Sequence, residues 1–361
     1  MKAMTIEKPR ETETSHLGDF PVLQKAERDS DQKKRELDTL LRRNISEYDS
    51  EDTSLVVFGS LARREWTTGS DLDWTYLVDG QANSDHLVIA QKINSAIEAE
   101  FKEPGPTGIF GNMAFSHEIV HQIGGQWDTN KNTTQRVLLL LESRAVGRES
   151  AYDRIIKAVI SRYLEEDNHL LSEDGGSYRV PRFLLNDIVR FWRTMAVDFA
   201  SKQRDRSGKG WGLRNAKLRM SRKLIFASGL LISFSCHLDP DLQKKISTNK
   251  NDKNAIKLSL VKHIHDYVRL TPLQVLARSL DAYSVSSAIQ TTLFASYADF
   301  LTLLDDEKAR KSLEELRAED SRTDPTFIRV KEISRTFQES LDHIFFENED
   351  LKPLTRKYGV F

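Results

Sequence analysis

The spacing of hydrophobic positions changes along the chain, and the first third predicts strands between helices. Apolar runs or alternating apolar positions predict three strands, over 54–58, 72–78 and 114–123. Helical spacing over 22–48 and 86–101, with a short helix over 61–65, places helices around these strands. This part of the chain therefore has an alternating pattern, which is typical of a small mixed sheet covered by helices.

Beyond about residue 130 the strand patterns fade and helical spacing dominates. The predicted helices cover 133–145, 152–164, 182–202, 213–235, 256–267, 272–304 and 328–346. We therefore predict an α+β protein, with a mixed-sheet domain and its N-terminal helix over 21–130 and a larger all-helical domain over 131–350. The unpatterned ends, 1–20 and 351–361, are predicted to be flexible tails.

Composition limits the classes of function. The chain has 361 residues, 39% of them hydrophobic, and a net charge of −1, so no overall positive field would hold a long nucleic acid. The single cysteine, Cys236, excludes an internal disulfide and suits a reducing compartment. Since no signal peptide or membrane-spanning run is apparent, we expect a soluble cytoplasmic protein without membrane insertion.

Candidate chemistry is concentrated where the first predicted strand ends and the second begins. Gly59-Ser60 follows the strand and opens a helix, an arrangement that presents free backbone N–H groups to phosphate. Asp71 and Asp73, called here the aspartate pair, are two residues apart in a predicted strand, so both carboxylates face the same side. Two close carboxylates repel each other unless a cation lies between them, and Mg²⁺ prefers such oxygen ligands.

These elements together resemble the DNA polymerase beta-like nucleotidyltransferase superfamily, closely over residues 55–79 and loosely to about 125. The resemblance implies that the Gly59-Ser60 turn binds a nucleoside triphosphate, ATP or another NTP or dNTP. It makes the aspartate pair the ligands of two Mg²⁺ ions, for which Mn²⁺ may substitute. Arg63 and Ser70 match residues that often accompany the two elements, and we expect them to contribute to nucleotide binding.

Most members of this superfamily have a third metal-binding carboxylate on the next strand. Our candidate is Glu118, because it lies between apolar neighbours on a predicted strand, where an unpaired carboxylate would be costly. The alternative is an ordinary glutamate at the edge of a strand. Glu142 is a rival candidate, but its segment is predicted to be helical, where pairing with an arginine is the simpler interpretation.

A basic segment in the helical half is the candidate phosphate clamp. Residues 202–223 contain nine Lys or Arg and one acid. Arg214, Lys217 and Ser221 share one face of a predicted helix, and we expect them to contact the phosphates, as the helical domain does in the superfamily. A solvated basic face is the alternative. The combination of a mixed-sheet domain and a helical domain also looks similar to uridylyltransferase-related proteins, but this similarity does not indicate a substrate.

The acceptor of the nucleotide stays open at this point. A near-neutral chain with one basic patch favours template-independent synthesis of a short oligonucleotide or nucleotide signal. Transfer to a protein or tRNA is the alternative function. The plan is also similar to nucleotidyltransferases of Hailong-type anti-phage defence systems, which implies a membrane effector partner and a primer hydroxyl in the C-terminal tail. Tyr358 is the candidate primer, and a homo-oligomer is expected on general grounds only.

Overall fold

The computed structural model describes residues 17–45, 48–102, 108–165, 167, 170, 179–205 and 210–359, with side chains omitted for 202–205. Four strands form one mixed sheet: Thr53–Phe58 (β1), Trp74–Val78 (β2), Asn112–Phe115 (β3) and Ser143–Val146 (β4). The strand order is β3-β2-β1-β4, in which β1 is antiparallel to both of its neighbours and β2 is parallel to β3. The protein therefore has an α+β fold with a small mixed sheet.

Helices surround this sheet and make up most of the rest of the described chain. Those near the sheet are Pro21–Asn44 (α1), Gly59–Ala62 (α2), Ser84–Glu100 (α3), Ser116–His121 (α4), Asn130–Leu141 (α5) and Ser150–Glu165 (α6). The following ones are Arg182–Asp205 (α7), Trp211–Lys217 (α8), Lys223–Leu238 (α9), Pro240–Thr248 (α10), Lys253–Val268 (α11), Pro272–Ala282 (α12), Ser287–Asp305 (α13), Glu307–Glu315 (α14), Pro325–Asp342 (α15) and Leu351–Leu354 (α16). Short π-helical turns occupy Leu218–Arg222, His343–Glu347 and Thr355–Gly359, and 3-10 turns occupy Leu17–Asp19 and Glu319–Arg322.

Strand β1 is buried on both faces, which explains its continuous apolar sequence. Leu55 and Val57 belong to a core that contains residues of α1 and α3. Val56 and Phe58 belong to a second core, which contains residues of α5 and α6 and continues into the helical half. The sheet therefore holds the end of β1 rigidly between two apolar layers.

Helix α9 lies at the centre of the helical half and is buried along nearly its whole length. It packs against α7, α11 and α12. Gly229 permits this close packing, because a Cβ there would lie 2.9 Å from Leu141 and 3.0 Å from Ile188. Among the described residues, no helix is both long and apolar enough to cross a membrane.

The predicted third strand was partly wrong, and the sheet includes a strand beyond the predicted domain boundary at residue 130. The third strand ends at Phe115, and the segment that follows it is α4. The helix predicted over 133–145 ends at Leu141, and β4 then pairs with β1. Since β4 completes the sheet, the sheet-containing part of the chain extends beyond residue 130. The pairing of β4 is long-range and leaves no signal in local periodicity.

The predicted tails also differ from the structure where it describes them. Residues 1–16 and 360–361 lie outside the described residues, and 17–19 form a 3-10 turn. The C-terminal residues 351–359 form α16 and a π-helical turn. Leu351 and Leu354 are fully buried there, so the expectation of a loose tail is wrong for this segment.

Candidate active site

The Gly59-Ser60 turn joins β1 to α2 and has a backbone that requires glycine. Gly59 has a φ of +67°, a left-handed conformation that other residues adopt at a cost. A Cβ at this position would lie 2.9 Å from Oδ2 of Asp73. The turn is thus held directly against one member of the aspartate pair, as the sequence motif predicts.

The aspartate pair lies immediately before β2, in extended backbone that continues the strand ladder. The Phe58 N–H donates to the carbonyl of Asp73 at 2.9 Å. Leu72, between the two aspartates, is fully buried, whereas both carboxylates are partly exposed. Asp71 and Asp73 line one cleft together with Gly59 and Ser60. The structure therefore brings the two predicted motifs together.

The two carboxylates have different proton affinities because they are buried close to each other. Burial, followed by repulsion from Asp71, raises the pKa of Asp73 to about 7. Burial also opposes ionisation of Asp71, but Lys217 contributes most to the opposite effect and the pKa of Asp71 is lowered. No described cation lies within 4 Å of either carboxylate. Two half-buried carboxylates without an ion-pair partner are suitable ligands for a divalent cation.

A basic wall faces the aspartate pair from the helical half. Lys217 ends α8, and Ser221 and Arg222 follow in the π-helical turn; all three line the cleft. Among the described residues, Lys217 has no ion-pair partner within 4 Å. Burial, partly offset by Asp71, lowers the pKa of Lys217. The Ser221 hydroxyl donates to the Lys217 carbonyl at 3.3 Å. π-Helical turns are rare and often occur at functional sites.

The predicted roles of Arg214, Arg63 and Ser70 fit the structure less well. Arg214 lies three residues before Lys217 on α8 and does not line the cleft. Arg63 and Ser70 do line the cleft, but both have protein partners. The Ser70 hydroxyl accepts from the Thr67 N–H at 3.1 Å, so it stabilises the loop that leads into the aspartate pair.

A buried ion network forms the base of the cleft. Arg63 donates to Glu65 at 2.7 Å and to Glu142, and Arg222 donates to Glu142 at 3.1 Å. The hydroxyl of Tyr297 donates to Glu65 at 3.0 Å. Burial opposes ionisation of Glu142, but Arg63 and Arg222 outweigh it and lower its pKa. Glu142 therefore pairs with arginine, as one interpretation of the sequence predicted, but it does so from the junction between α5 and β4 beside the Gly59-Ser60 turn.

Helices α13 and α14 cover the cleft. Phe300, Leu301 and Leu304 line it from α13. Arg310 of α14 also lines it and donates to the carbonyl of Gly69. The backbone N–H of Thr68 donates to the Asp305 carboxylate at 3.3 Å. The space left is about 30 Å³, far below the 300 Å³ or so of a typical ligand pocket, so entry of a nucleotide requires these helices to move away.

The structure does not bring Glu118 to the aspartate pair. Glu118 is exposed on α4, just after β3. The parallel register places Phe115 beside Val78, at the opposite end of β2 from Asp73. Five residues of strand separate the two ends by roughly 17 Å. Glu118 as the third ligand is thus wrong, and no third His, Cys, Asp or Glu of the described residues completes a metal-binding group with the pair.

Tyr358, the candidate primer, is also remote from the cleft. It packs against the main core in the last π-helical turn. The pKa of Arg182, at the start of α7, is raised mainly by its bond to Asp167. Tyr358 contributes to the same shift, which places it near this end of α7. That end of α7 adjoins the C-terminal end of α9, where the Arg179 N–H donates to His237 at 3.2 Å. The length of α9 separates this region from the cleft by roughly 22 Å.

Two basic residues of the cleft, Arg222 and Arg310, were missed by the sequence reasoning. Arg222 is one residue beyond the predicted Ser221, within the basic segment that was already singled out. Arg310 lies on α14, which the sequence patterns did not predict as a helix. No protein-family model matches the chain, and a search of curated proteins found no match either. The interpretation of the cleft therefore depends on its geometry and on the motif.

Proposed function

We propose that this protein is a metal-dependent nucleotidyltransferase of the DNA polymerase beta-like type. It would transfer a nucleoside monophosphate from an NTP or dNTP to a hydroxyl and release pyrophosphate. The observation that carries the proposal is the cleft itself. There, an aspartate pair faces both a glycine turn at a helix start and Lys217, and within the described part of the chain neither the pair nor the lysine has an ion-pair partner. The aspartate pair would bind metal ions and Lys217 would bind phosphate, so this cleft suits a ligand that consists of a phosphate chain with its metal ions.

Each side of the cleft has a separate task in this proposal. The Gly59-Ser60 turn offers backbone N–H groups to the phosphates, and Lys217 with Arg222 neutralises their charge from the opposite side. Asp71 and Asp73 would hold Mg²⁺ or Mn²⁺, which supplies charge neutralisation and lowers the pKa of the attacking hydroxyl. Glu142 is held by two arginines and orients them rather than binding a metal.

The acceptor we favour is the hydroxyl of a nucleotide, which gives a short product without a template. This choice is supported by the small number of cations along the cleft, since a long strand would need many phosphate contacts. Priming from Tyr358 of the same molecule is not part of the proposal, because that residue is packed at the far end of α9. A role in anti-phage defence with a membrane effector depends on the resemblance alone.

Incubation of the purified protein with each labelled NTP and dNTP, with Mg²⁺ or Mn²⁺, tests the proposal. Products are separated on denaturing gels and the protein is examined by intact mass. We expect free short oligonucleotides from the wild type and none from Asp71→Asn or Asp73→Asn. Asp85→Asn, an exposed residue on α3, is the matched control and should behave as the wild type.

Other outcomes distinguish the alternatives. Label that appears only after tRNA or another protein is added supports nucleotidylation of a macromolecule. A mass increment on the chain itself that is lost in Tyr358→Phe would restore the self-priming hypothesis. If both aspartate variants and the wild type give the same products, the assignment of the cleft is wrong.

A further inference from the structure

A second cavity of about 200 Å³ lies between α1, the turn after α2, β4 and the connection from α11 to α12. It shares no lining residue with the catalytic cleft. Arg63 and Arg64, adjacent in the sequence, divide between the two: Arg63 lines the cleft, and Arg64 lines the second cavity. The second cavity and the catalytic cleft are therefore two distinct cavities that adjoin the same turn.

Four cationic side chains from four different elements line this second cavity. They are Lys34 of α1, Arg64 of the turn, Arg144 of β4 and Arg269 at the end of α11. Convergence of like charges from distant parts of the chain is unfavourable unless counter-charges are present. The fold nevertheless holds these four cations close together, so their stability depends on the groups that neutralise them.

Carboxylates bond to three of these four cations, and two acids, Glu142 and Glu149, themselves line the cavity. Asp31 accepts from both Arg64 and Arg144, at 3.1 Å from the latter. Arg269 donates to Glu149 at 2.7 Å. Lys34 has no carboxylate within 4 Å among the described residues. Burial first, and then repulsion by Arg144, lowers the pKa of Lys34. An anion in this cavity would relieve that repulsion.

The backbone at Arg64 is strained in a way that directs its side chain. Its φ is +61°, a left-handed conformation that costs a non-glycine residue roughly 1–2 kcal/mol. The conformation turns Arg64 toward Asp31 and Glu27 of α1, while Arg63 points to Glu142 on the other side. Strain of this kind persists where the surrounding structure demands it and is concentrated at functional positions.

We infer that the second cavity is a binding site for a phosphate or pyrophosphate group, independent of the proposed catalytic function. Among the described residues, Lys34 is the lining cation that has no carboxylate within 4 Å, and Arg64, Arg144 and Arg269 surround the same space. The cavity is smaller than a typical pocket for a drug-sized ligand, about 300 Å³ and upward. It therefore takes the phosphate group alone, either as a free ion or as the terminus of a larger molecule outside the opening.

Calorimetric titration of the full chain in EDTA tests this inference without any catalytic turnover. The probes are inorganic phosphate, pyrophosphate, ATP and a 5′-phosphorylated dinucleotide. We expect at least one of them to bind, and Lys34→Gln to weaken that binding about tenfold or more, the loss of one charge-assisted contact. Arg35→Gln, the exposed neighbour on the same helix, is the matched control and should bind as the wild type.

The choice of probe identifies the source of the phosphate. Tight binding of inorganic phosphate or pyrophosphate indicates a free ion, whereas preference for the dinucleotide indicates a terminal phosphate. Lys217→Gln separates this cavity from the catalytic cleft. Binding that is lost in Lys217→Gln but retained in Lys34→Gln would overturn the inference, and so would the absence of binding by all four probes. Circular dichroism and thermal melting establish that each variant is folded.

Discussion

Two sets of carboxylates lie beside the Gly59-Ser60 turn, and they differ in their partners. Glu65 and Glu142 are buried, and Arg63 bonds to both of them. The aspartate pair is partly exposed to the cleft and has no cation within 4 Å among the described residues. The same local fold therefore contains acids that are paired with an arginine and acids that form no ion pair with any described residue.

Under the proposed function, this difference in partners separates structural charges from functional ones. A buried ion pair is satisfied by its partner, and its main consequence is the cost of removing one member. Acids that repel each other lower the stability of the folded state, and they are retained where a ligand supplies the missing charge. The comparison thus predicts opposite consequences for substitutions that are only a few ångströms apart in the fold.

The largest effect is expected at the aspartate pair. Asp71→Asn should lower nucleotide incorporation by about 10²–10³-fold or more, since a ligand of the metal ion that neutralises the reacting phosphate is lost. The free energy of unfolding should change little, because the lost repulsion of Asp73 is offset by the lost attraction of Lys217. Single-turnover incorporation and urea denaturation measure the two quantities. A variant that is strongly destabilised would place Asp71 among the structural charges.

Glu142→Gln should have the opposite profile. Breaking a buried ion pair by removal of one partner costs about 3–5 kcal/mol, because Arg63 and Arg222 would keep uncompensated charges. Urea denaturation of this variant and of Glu100→Gln, an exposed glutamate on α3, gives the comparison. Unchanged stability together with lost activity would show that Glu142 acts on the substrate instead.

The cover over the cleft gives a third test, since the space beside the aspartate pair is too small for a nucleotide unless α13 and α14 move. Thr68→Cys combined with Asp305→Cys links the loop to α13 at a point where the two residues are hydrogen-bonded. Activity of the oxidised double variant should fall about tenfold or more and return after reduction, as for enzymes that open to admit substrate. The native Cys236 is buried, so it does not compete. The single Asp305→Cys variant is the control, and full activity of the oxidised protein would contradict the need for opening.

The sequence was sufficient for the motif because its determinants are local. Gly59 follows β1 and Asp73 precedes β2, and the two strands are joined by α2 and a loop, each of which has its own local pattern. Lys217 and Ser221 were found from charge and helical spacing, and they line the predicted cleft. Local patterns thus predicted both walls of the cleft.

The remainder could not be predicted because it depends on long-range packing. β4 follows directly from α5, and only pairing with β1 defines it as a strand. The positions of Glu142 and Arg310 follow from that pairing and from the packing of α14. Glu118 was misplaced because an apolar neighbourhood is equally compatible with a strand and with the short helix that forms.

A smaller effect is expected from pH in the absence of divalent cations. The folded-state pKa of Asp73 is about 7, above the unfolded value of about 3.9. The folded state therefore binds more protons between these values, and stability falls as the pH rises from about 4 to 7. Relative to Asp73→Asn, the wild type should lose on the order of 1 kcal/mol, allowing for partial exposure. Urea denaturation at several pH values in EDTA measures this, and a difference that is constant with pH would contradict the repulsion within the pair.

The smallest effect is expected at Glu118, which is an acid of neither set. Its side chain is exposed on α4, beyond the end of the sheet that is remote from the cleft. Glu118→Gln should change neither nucleotide incorporation nor the free energy of unfolding by more than about 0.5 kcal/mol, the usual range for a surface substitution. The same single-turnover and urea experiments apply. A loss of activity comparable with that of Asp71→Asn would mean that α4 moves to the cleft when the ligand binds. Glu118 would then be an acid of a third kind, which reaches the cleft only in the ligand-bound protein.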